Sequence, residues 1–552
     1  MTDFRLPTRA LVALALAPAF SAHAQQAPDA GRALQETQPR TLQAPRPAPG
    51  VTLSPPAEPT ALPGGATVTL KGVKLSGNSV FPEATLIALL GEVKGKTFDL
   101  AGLQSLARRI TDHYRNHGYL FARAIIPAQN FADGVLALQI IEGRYGKVEA
   151  QGERAERAQG FLAHLKPGEV IESASLERAV LVLADQPGVK VSPIVRPGQE
   201  LGSGDLIVEV SRERAFKSEA GIDNYGNRYT GQSRATANLQ WDSPFLLGDQ
   251  LLARLLYTED DLWLGSLNYG LPLGHSGLRG SLGYSQTTYE LGKDFRDLDA
   301  HGTAKVTSIG LSYPLLRSQA VNLSLGVFWQ NKDLEDRQDA THTRNSKESD
   351  VLPVTLQFDR RDAWGITYGA LVYTAGRLAL DAQLDAADQA SNTDTRGHFH
   401  KWNLDLARLQ TTPIANLNLF GRASFQWAGK NLDSSESFFL GGAQGVRAYP
   451  QGEGNGDEGW LVQLEARYQM GRIEPFLFFD AGRVDIHAEP NRITPLVIDN
   501  TRSLAGSGPG LRYADGPLAL EATLAWRHRG GAPQSETRDD QPRLWVAARW
   551  QF

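Results

Sequence analysis

From residue 213 to the C-terminus, apolar residues recur at every second position in many short segments. In VNLSLGVFWQ, Val321, Leu323, Leu325, Val327 and Trp329 fall on one side, and Asn322, Ser324, Gly326 and Gln330 on the other. IANLNLFGRASFQW sets Leu417, Leu419, Ala423, Phe425 and Trp427 against Asn416, Asn418, Arg422, Ser424 and Gln426. In WLVQLEARY, Gln463, Glu465 and Arg467 oppose Trp460, Val462, Leu464 and Tyr468. A period of two marks β-strands with unlike faces. The pattern predicts about sixteen strands and no helix in this region.

Alternation alone suits a soluble sandwich as well as a membrane barrel, so the connections decide. Short turns at 314–319, 410–415, 469–473 and 513–518 lie between long polar loops at 331–350, 385–400 and 528–543. Brief turns on one rim and long loops on the other are the rhythm of an outer-membrane barrel. The chain ends inside its own strand pattern, with Leu544, Val546, Ala548, Trp550 and Phe552 on one face. That face predicts a lipid-facing band finished by an aromatic girdle.

Residues 67–212 follow another pattern, which occurs twice. A strand at 66–77 leads to a helix from Pro82 to Leu90 and a longer one over 100–118, where Leu103, Leu106, Ile110 and Tyr114 share one face. FARAIIPA and GVLALQIIEG close the first unit as strands. The second starts at RYGKVEAQG (144–152), continues through helices near 154–165 and 175–188, and ends in VKVSPIVRPG and GDLIVEVSR. Each reads as β-α-α-β-β, a binding module with exposed strand edges; GDLIVEV (204–210) is the candidate edge.

At the N-terminus, Arg5 and Arg9 precede ALVALALAPAF, and Ala22-His23-Ala24 supplies a small-x-small site. This order predicts a secretory signal peptide cut between Ala24 and Gln25. Residues 25–66 then contain a short helical stretch, DAGRALQETQ (29–38), and a Pro-rich linker. No later run reaches the roughly 18 apolar residues that a spanning helix requires.

Composition narrows the chemistry. The formal charge of −5 gives no attraction to nucleic acid, and the absence of cysteine rules out disulfides and thiolate metal sites. GNGDEG (454–459) matches G-x-G-x-x-G but precedes a strand rather than a helix, and GEVKGKT (91–97) is one residue short of a P-loop. His398 and His400 are read as solvated loop residues. Without a nucleophile elbow or a convincing carboxylate pair, the chain is not read as an enzyme, and no cofactor or metal is expected.

Two stretches remain. GGAQGVRAYPQGEGNGDEGW (441–460) holds Arg447 among glycines, and EPFLFFDAGR places Phe476, Phe478, Asp480 and Gly482 on one strand face. If the opposite face, with Leu477, meets lipid, Asp480 points into the bore. The residues alone also admit a solvated loop arginine and a strand carboxylate bonded elsewhere.

VRAY (446–449) resembles a V-R-G-Y loop motif, and FFDAG (478–482) an F-x-D-x-G strand motif. With the order of parts along the mature chain, these make it similar to the outer-membrane transporters of two-partner secretion, the haemolysin secretion/activation type (TpsB). The resemblance implies α+β periplasmic domains plus an all-β, 16-stranded antiparallel transmembrane barrel. Its implied limits are signal peptide 1–24, plug helix and linker 25–66, polypeptide-transport-associated (POTRA) domains at 67–142 and 143–212, and barrel 213–552.

It further implies a Gram-negative outer-membrane location, and ATP-independent export of one large, β-rich exoprotein (haemolysin, adhesin or toxin) bound unfolded by the POTRA domains. Arg447 and Asp480, with Val446 and Tyr449, would lock the loop in the channel, and Phe478 and Gly482 belong to the strand motif. Trp550 and Phe552 stand at the terminus offered to the barrel-assembly machinery. Ala448 departs from the motif's glycine. The rival readings are an insertase for other barrels and, with less support, a diffusion porin, which would not need two periplasmic modules.

Overall fold

The computed structural model describes residues 27–38, 44–45 and 62–552; Ala24, Gln25 and most of the Pro-rich linker lie outside the described residues. The alternating C-terminal region forms sixteen antiparallel strands, from Phe216–Asp223 to Arg543–Gln551, closed into one barrel. Closure comes from pairing of the last strand with the first, Ala547 opposite Asp223 through Gln551 opposite Glu219. The Phe552 N–H still bonds the Ser218 carbonyl, so the terminal residue continues the ladder.

The two faces of each strand differ as a membrane wall requires. On Ile473–Asp485, Leu477 is 64% exposed and Phe479 44%, whereas Phe478 is 4% and Asp480 0% exposed. Exposed Trp263, Trp329, Trp402, Trp427 and Trp460 mark one rim, and exposed Phe216, Trp364, Tyr468, Trp550 and Phe552 the other. Such belts sit where lipid gives way to water.

The wall is taller than the loop reading allowed. Strands Ala300–Arg317, Val321–Gln338, Thr343–Asp362 and Gly365–Leu380 run for 18, 18, 20 and 16 residues. A tilted membrane strand needs about 9–11. Residues 331–350 are therefore ladder, not loop, turning through a short 3₁₀ segment at Asp339–Thr341. Beyond the lipid the outward positions are Asp333, Glu335, Arg337, Arg344 and Glu348, which erase the apolar–polar contrast that reveals a strand.

For the same reason the 314–319 turn shrinks to 318–320, and His398 and His400 are exposed residues of strand Gly397–Thr411. Within 385–400 a helix, Ala382–Ser391, is capped by the Asp381 carboxylate on the N–H groups of Gln383 and Leu384. It buries no residue and so had no apolar stripe to betray it.

Two α/β units precede the barrel. In the first, strand Val135–Ile141 lies between Gly72–Ser76 and Arg123–Ile125, covered by helices Glu83–Leu90 and Leu100–Asn116. In the second, helices Ala155–Leu162 and Ser173–Ala184 cover strands Arg144–Gly152, Ser203–Arg212 and Val189–Pro197, in that order. The expected edge, 204–210, is instead the central strand, parallel to one neighbour and antiparallel to the other. Its Leu206, Val208 and Val210 are buried under the helices, the signature of a core strand.

The joint between the units is organised by Glu142, 3% exposed. Its carboxylate accepts from the N–H groups of Ser79 and Val80, the Ser79 hydroxyl, Tyr114 Oη at 2.9 Å and Arg144 at 3.0 Å. The second unit docks on the short-turn rim through Asp185–Arg317 at 2.6 Å and Arg178 to the Pro314 carbonyl at 2.8 Å.

Candidate gating site in the barrel lumen

The connection between strands Leu417–Ala428 and Glu458–Tyr468 folds into the bore. Glycine makes this return possible at Gly442, whose φ of +113° lies where side-chain-bearing residues are strained. The loop then presents Val446, Arg447, Ala448 and Tyr449 to the wall, and all four are buried.

Arg447 is 4% exposed and each part of it is matched. Nε and Nη2 donate to the two oxygens of Asp480 at 2.8 and 2.7 Å, and its backbone N–H adds a bond at 3.1 Å. Nη1 donates to Glu465 at 2.6 Å, the guanidinium lies 3.8 Å from the Phe478 ring centroid, and Trp545 Nε1 donates to its carbonyl at 2.7 Å. A planar fork meeting a carboxylate edge-on while stacked on a ring is a contact that arginine makes and lysine cannot.

Register assembles the receiving wall. Gln463 stands opposite Asp480, and Glu465 opposite Phe478, on adjacent strands. Arg467 and Arg512 also hold Glu465, at 2.8 and 3.2 Å. Gln463 donates to the Gly445 carbonyl at 2.9 Å, and Tyr449 Oη donates to the Arg529 and Gly531 carbonyls at 2.7 and 3.0 Å.

Space is as specific as charge. A Cβ on Gly482 would overlap Leu440 of the loop, and one on Gly506 would overlap the Ala448 side chain. Ala448 keeps a backbone outside the left-handed region. Gly506 leaves the space that the Ala448 methyl occupies.

A second segment fills the bore beside the loop. Helix Ala30–Thr37 is capped by Asp29, whose Oδ1 accepts from the Arg32 N–H at 2.9 Å. The Ala30 N–H donates to Asp336 of the wall at 2.7 Å, as suits the positive end of a helix. Asp29 Oδ2 also binds Lys347 at 2.9 Å and the Ser434 hydroxyl at 2.6 Å. Burial alone would raise the Asp29 pKa, but Lys347, Ser434 and the Arg32 N–H together hold it well below the usual aspartate range.

Ser434–Glu436, a 3₁₀ turn of the inward loop, joins the two segments. Gln35 bonds the Ser435 carbonyl, and a Cβ on Gly31 would overlap Ser434. Glu436 pairs with Lys332 and with Lys401 at 2.7 Å, and Lys347 reaches Asp433 at 2.7 Å. Burial opposes ionisation of Glu436, yet the two lysines bring its pKa down to about 2. Between helix, loop and wall remains a chamber of about 560 Å³ lined by residues such as Gln35, Gln330, Asn403 and Gln426.

The structure thus brings together Val446, Arg447, Tyr449, Asp480, Phe478 and Gly482, while Trp550 and Phe552 stand on the lipid face. Sequence reasoning missed Glu465 as an arginine partner, although it had placed Glu465 on the same face as Gln463 and Arg467. It also missed Lys332 and Lys347, which lie in the stretch read as a loop at 331–350, and Lys401, Asp433 and Glu436, to which it gave no role.

The family model for "Haemolysin secretion/activation protein ShlB/FhaC/HecB" matches residues 202–513, more than half of the chain. The chain belongs to this family. A model for the ShlB-type POTRA domain matches residues 68–143. Family members include the Haemophilus influenzae "Heme/hemopexin transporter protein HuxB", 26% identical over 460 residues that cover 80% of each chain. The Dickeya dadantii "Outer membrane transporter CdiB" is 22% identical and covers 84% of this chain and 83% of its own.

A solved structure of CdiB from Escherichia coli shares the fold, with a TM-score of 0.73 and 19% identity, covering 92% of this chain and 94% of that one. As a TpsB-type protein the chain is an outer-membrane transporter of secreted exoproteins, its POTRA region in the periplasm.

Proposed function

We propose that this TpsB transporter captures one large, β-rich exoprotein in the periplasm and passes it unfolded through the barrel without ATP. The observation that carries the reading is how the bore is filled. The helix and the loop each set a small apolar patch on the wall, Ala33 and Leu34 against Tyr289 and Leu334, and Val446 and Tyr449 against Phe478 and Leu504. Each patch is ringed with ion pairs and hydrogen bonds that water or a passing chain can replace. Arg447 with Asp480 and Glu465 acts as the lock. The periplasm holds no ATP pool, so folding of the cargo outside the cell supplies the direction of movement.

Capture by strand addition requires an open sheet edge. In the second unit, the outer edge of Arg144–Gly152 is covered where Gln159 bonds both the Ala150 N–H at 2.7 Å and the Val148 carbonyl at 2.9 Å. The other edge, Val189–Pro197, carries Pro193 and Pro197, which blunt pairing. Gly72–Ser76 of the first unit is an edge strand without proline, its Leu75 N–H met by Glu83 only at 3.5 Å, and is the proposed docking edge.

The test is to delete the transporter and follow its exoprotein, sought as a large repetitive reading frame beside this one. Export predicts that the partner accumulates in the periplasm. Undiminished secretion by the deletion strain would refute the proposal. Val73→Pro is expected to abolish periplasmic capture while the barrel still migrates as a heat-modifiable band.

A further inference from the structure

On one side of the outer bore, cations belong to the wall and anions to the segments that fill it. Lys332, Lys347 and Lys401 point inward from strands Val321–Gln338, Thr343–Asp362 and Gly397–Thr411, with side chains 5, 10 and 10% exposed. Their partners are Asp29 of the plug helix and Asp433 and Glu436 of the inward loop. Lys347 is shared between the two segments. Of the wall carboxylates nearby, Asp405 is matched by Arg422 at 3.1 Å. Asp336 accepts from the Ala30 N–H, which leaves with the helix, and from the Tyr289 hydroxyl, which stays, so one wall carboxylate stands against three wall lysines.

Any movement that clears the bore takes Asp29, Asp433 and Glu436 away and leaves the lysines behind. We propose that in the open pore Lys332, Lys347 and Lys401 form a cationic strip that binds carboxylate side chains of the polypeptide in transit. An ammonium stripped of its counter-ion in a half-dry lumen recruits another anion, and lysine's flexible stem follows a moving target better than a rigid fork does. An acidic segment also competes with the gate for the same lysines, so its arrival favours the open state. The inference rests on the transport reading and adds the chemistry of the segment that the pore prefers.

The test uses the transporter lacking residues 27–38 and carrying Asp433→Asn with Glu436→Gln, so that neither helix nor loop neutralises the lysines, in planar bilayers. The pore is expected to be anion-selective by reversal potential in a KCl gradient. Polyglutamate added from the periplasmic side should block it at roughly tenfold lower concentration than polylysine, as charge pairing in a confined site requires. Lys332→Gln with Lys347→Gln and Lys401→Gln should remove both properties, whereas the matching Lys→Arg triple retains them.

Should the Gln triple fail to fold, Lys347→Gln alone on this background gives the same change at smaller size. An open pore whose selectivity and block ignore these substitutions overturns the inference and leaves the transport reading standing. A pore that never conducts after helix deletion overturns that reading and the inference together.

Discussion

On the Asp480 side of the bore the moving loop brings a cation to carboxylates fixed in the wall. On the Lys347 side the moving segments bring carboxylates to fixed lysines. The first anchor concentrates its energy in one residue, since Arg447 is gripped by two carboxylates, a ring and its own backbone. The second is spread over three lysines and two segments, so losing one contact leaves others in place. A concentrated anchor is suited to an all-or-none lock, a distributed one to stepwise release. The 3₁₀ turn Ser434–Glu436 couples them, because it belongs to the loop yet holds the helix.

The contrast ranks the effects of breaking each anchor. Arg447→Ala strands Asp480, fully buried, without its partner, and should destabilise the docked loop by about 3–5 kcal/mol. Bilayer recordings should show a more open pore and culture supernatants a loss of secreted partner. Asp480→Ala should match it, and Arg447→Lys should rescue little because the fork is lost. Unchanged conductance and secretion in both alanine variants would refute the lock.

Lys347→Ala comes next, leaving Asp29 and Asp433 facing each other. A cost of about 2–3 kcal/mol is expected, seen as frequent brief openings rather than a constant open state. Gly482→Ala probes the fit of the lock without touching charge. Overlap with Leu440 should cost about 1–3 kcal/mol, read as raised conductance with normal barrel assembly.

The smallest effect is the loosening of the second anchor by acid. The pKa values of Asp29 and Glu436 are lowered in the docked state, so their contribution is complete above the ordinary carboxylate range. It is lost as pH falls through the lowered values, for Glu436 about 2. Acidification below about pH 4 should therefore loosen the plug helix, measured as increased accessibility of a cysteine introduced at Ala33. Asp29→Asn keeps an acceptor for the Arg32 N–H and should remove much of this dependence at a cost of about 1 kcal/mol at neutral pH. A helix equally docked at pH 3 and pH 7 would remove the electrostatic account of this anchor.

Legibility in the sequence followed contrast between faces. Where one side of a strand meets lipid and the other water, as at Leu477 and Asp480, the period of two is plain. Where both sides are polar, as over 331–350, it vanishes, although the ladder continues. Arg447 was conspicuous as the one cation of a glycine-rich stretch, 441–460. Lys347 and Lys401 were not, because a lysine in a polar stretch has the same appearance whether it is solvated or paired inside the bore.

The sequence by itself determined the alternation that makes a wall and the two β-α-α-β-β units. Those features are local, set by periods of two and 3.6 residues and by single side chains. Only the tertiary structure decided which strand is an edge, which carboxylates share a lysine, and that Gly506 makes room for Ala448. These depend on register between strands and on segments hundreds of residues apart, which no local period records.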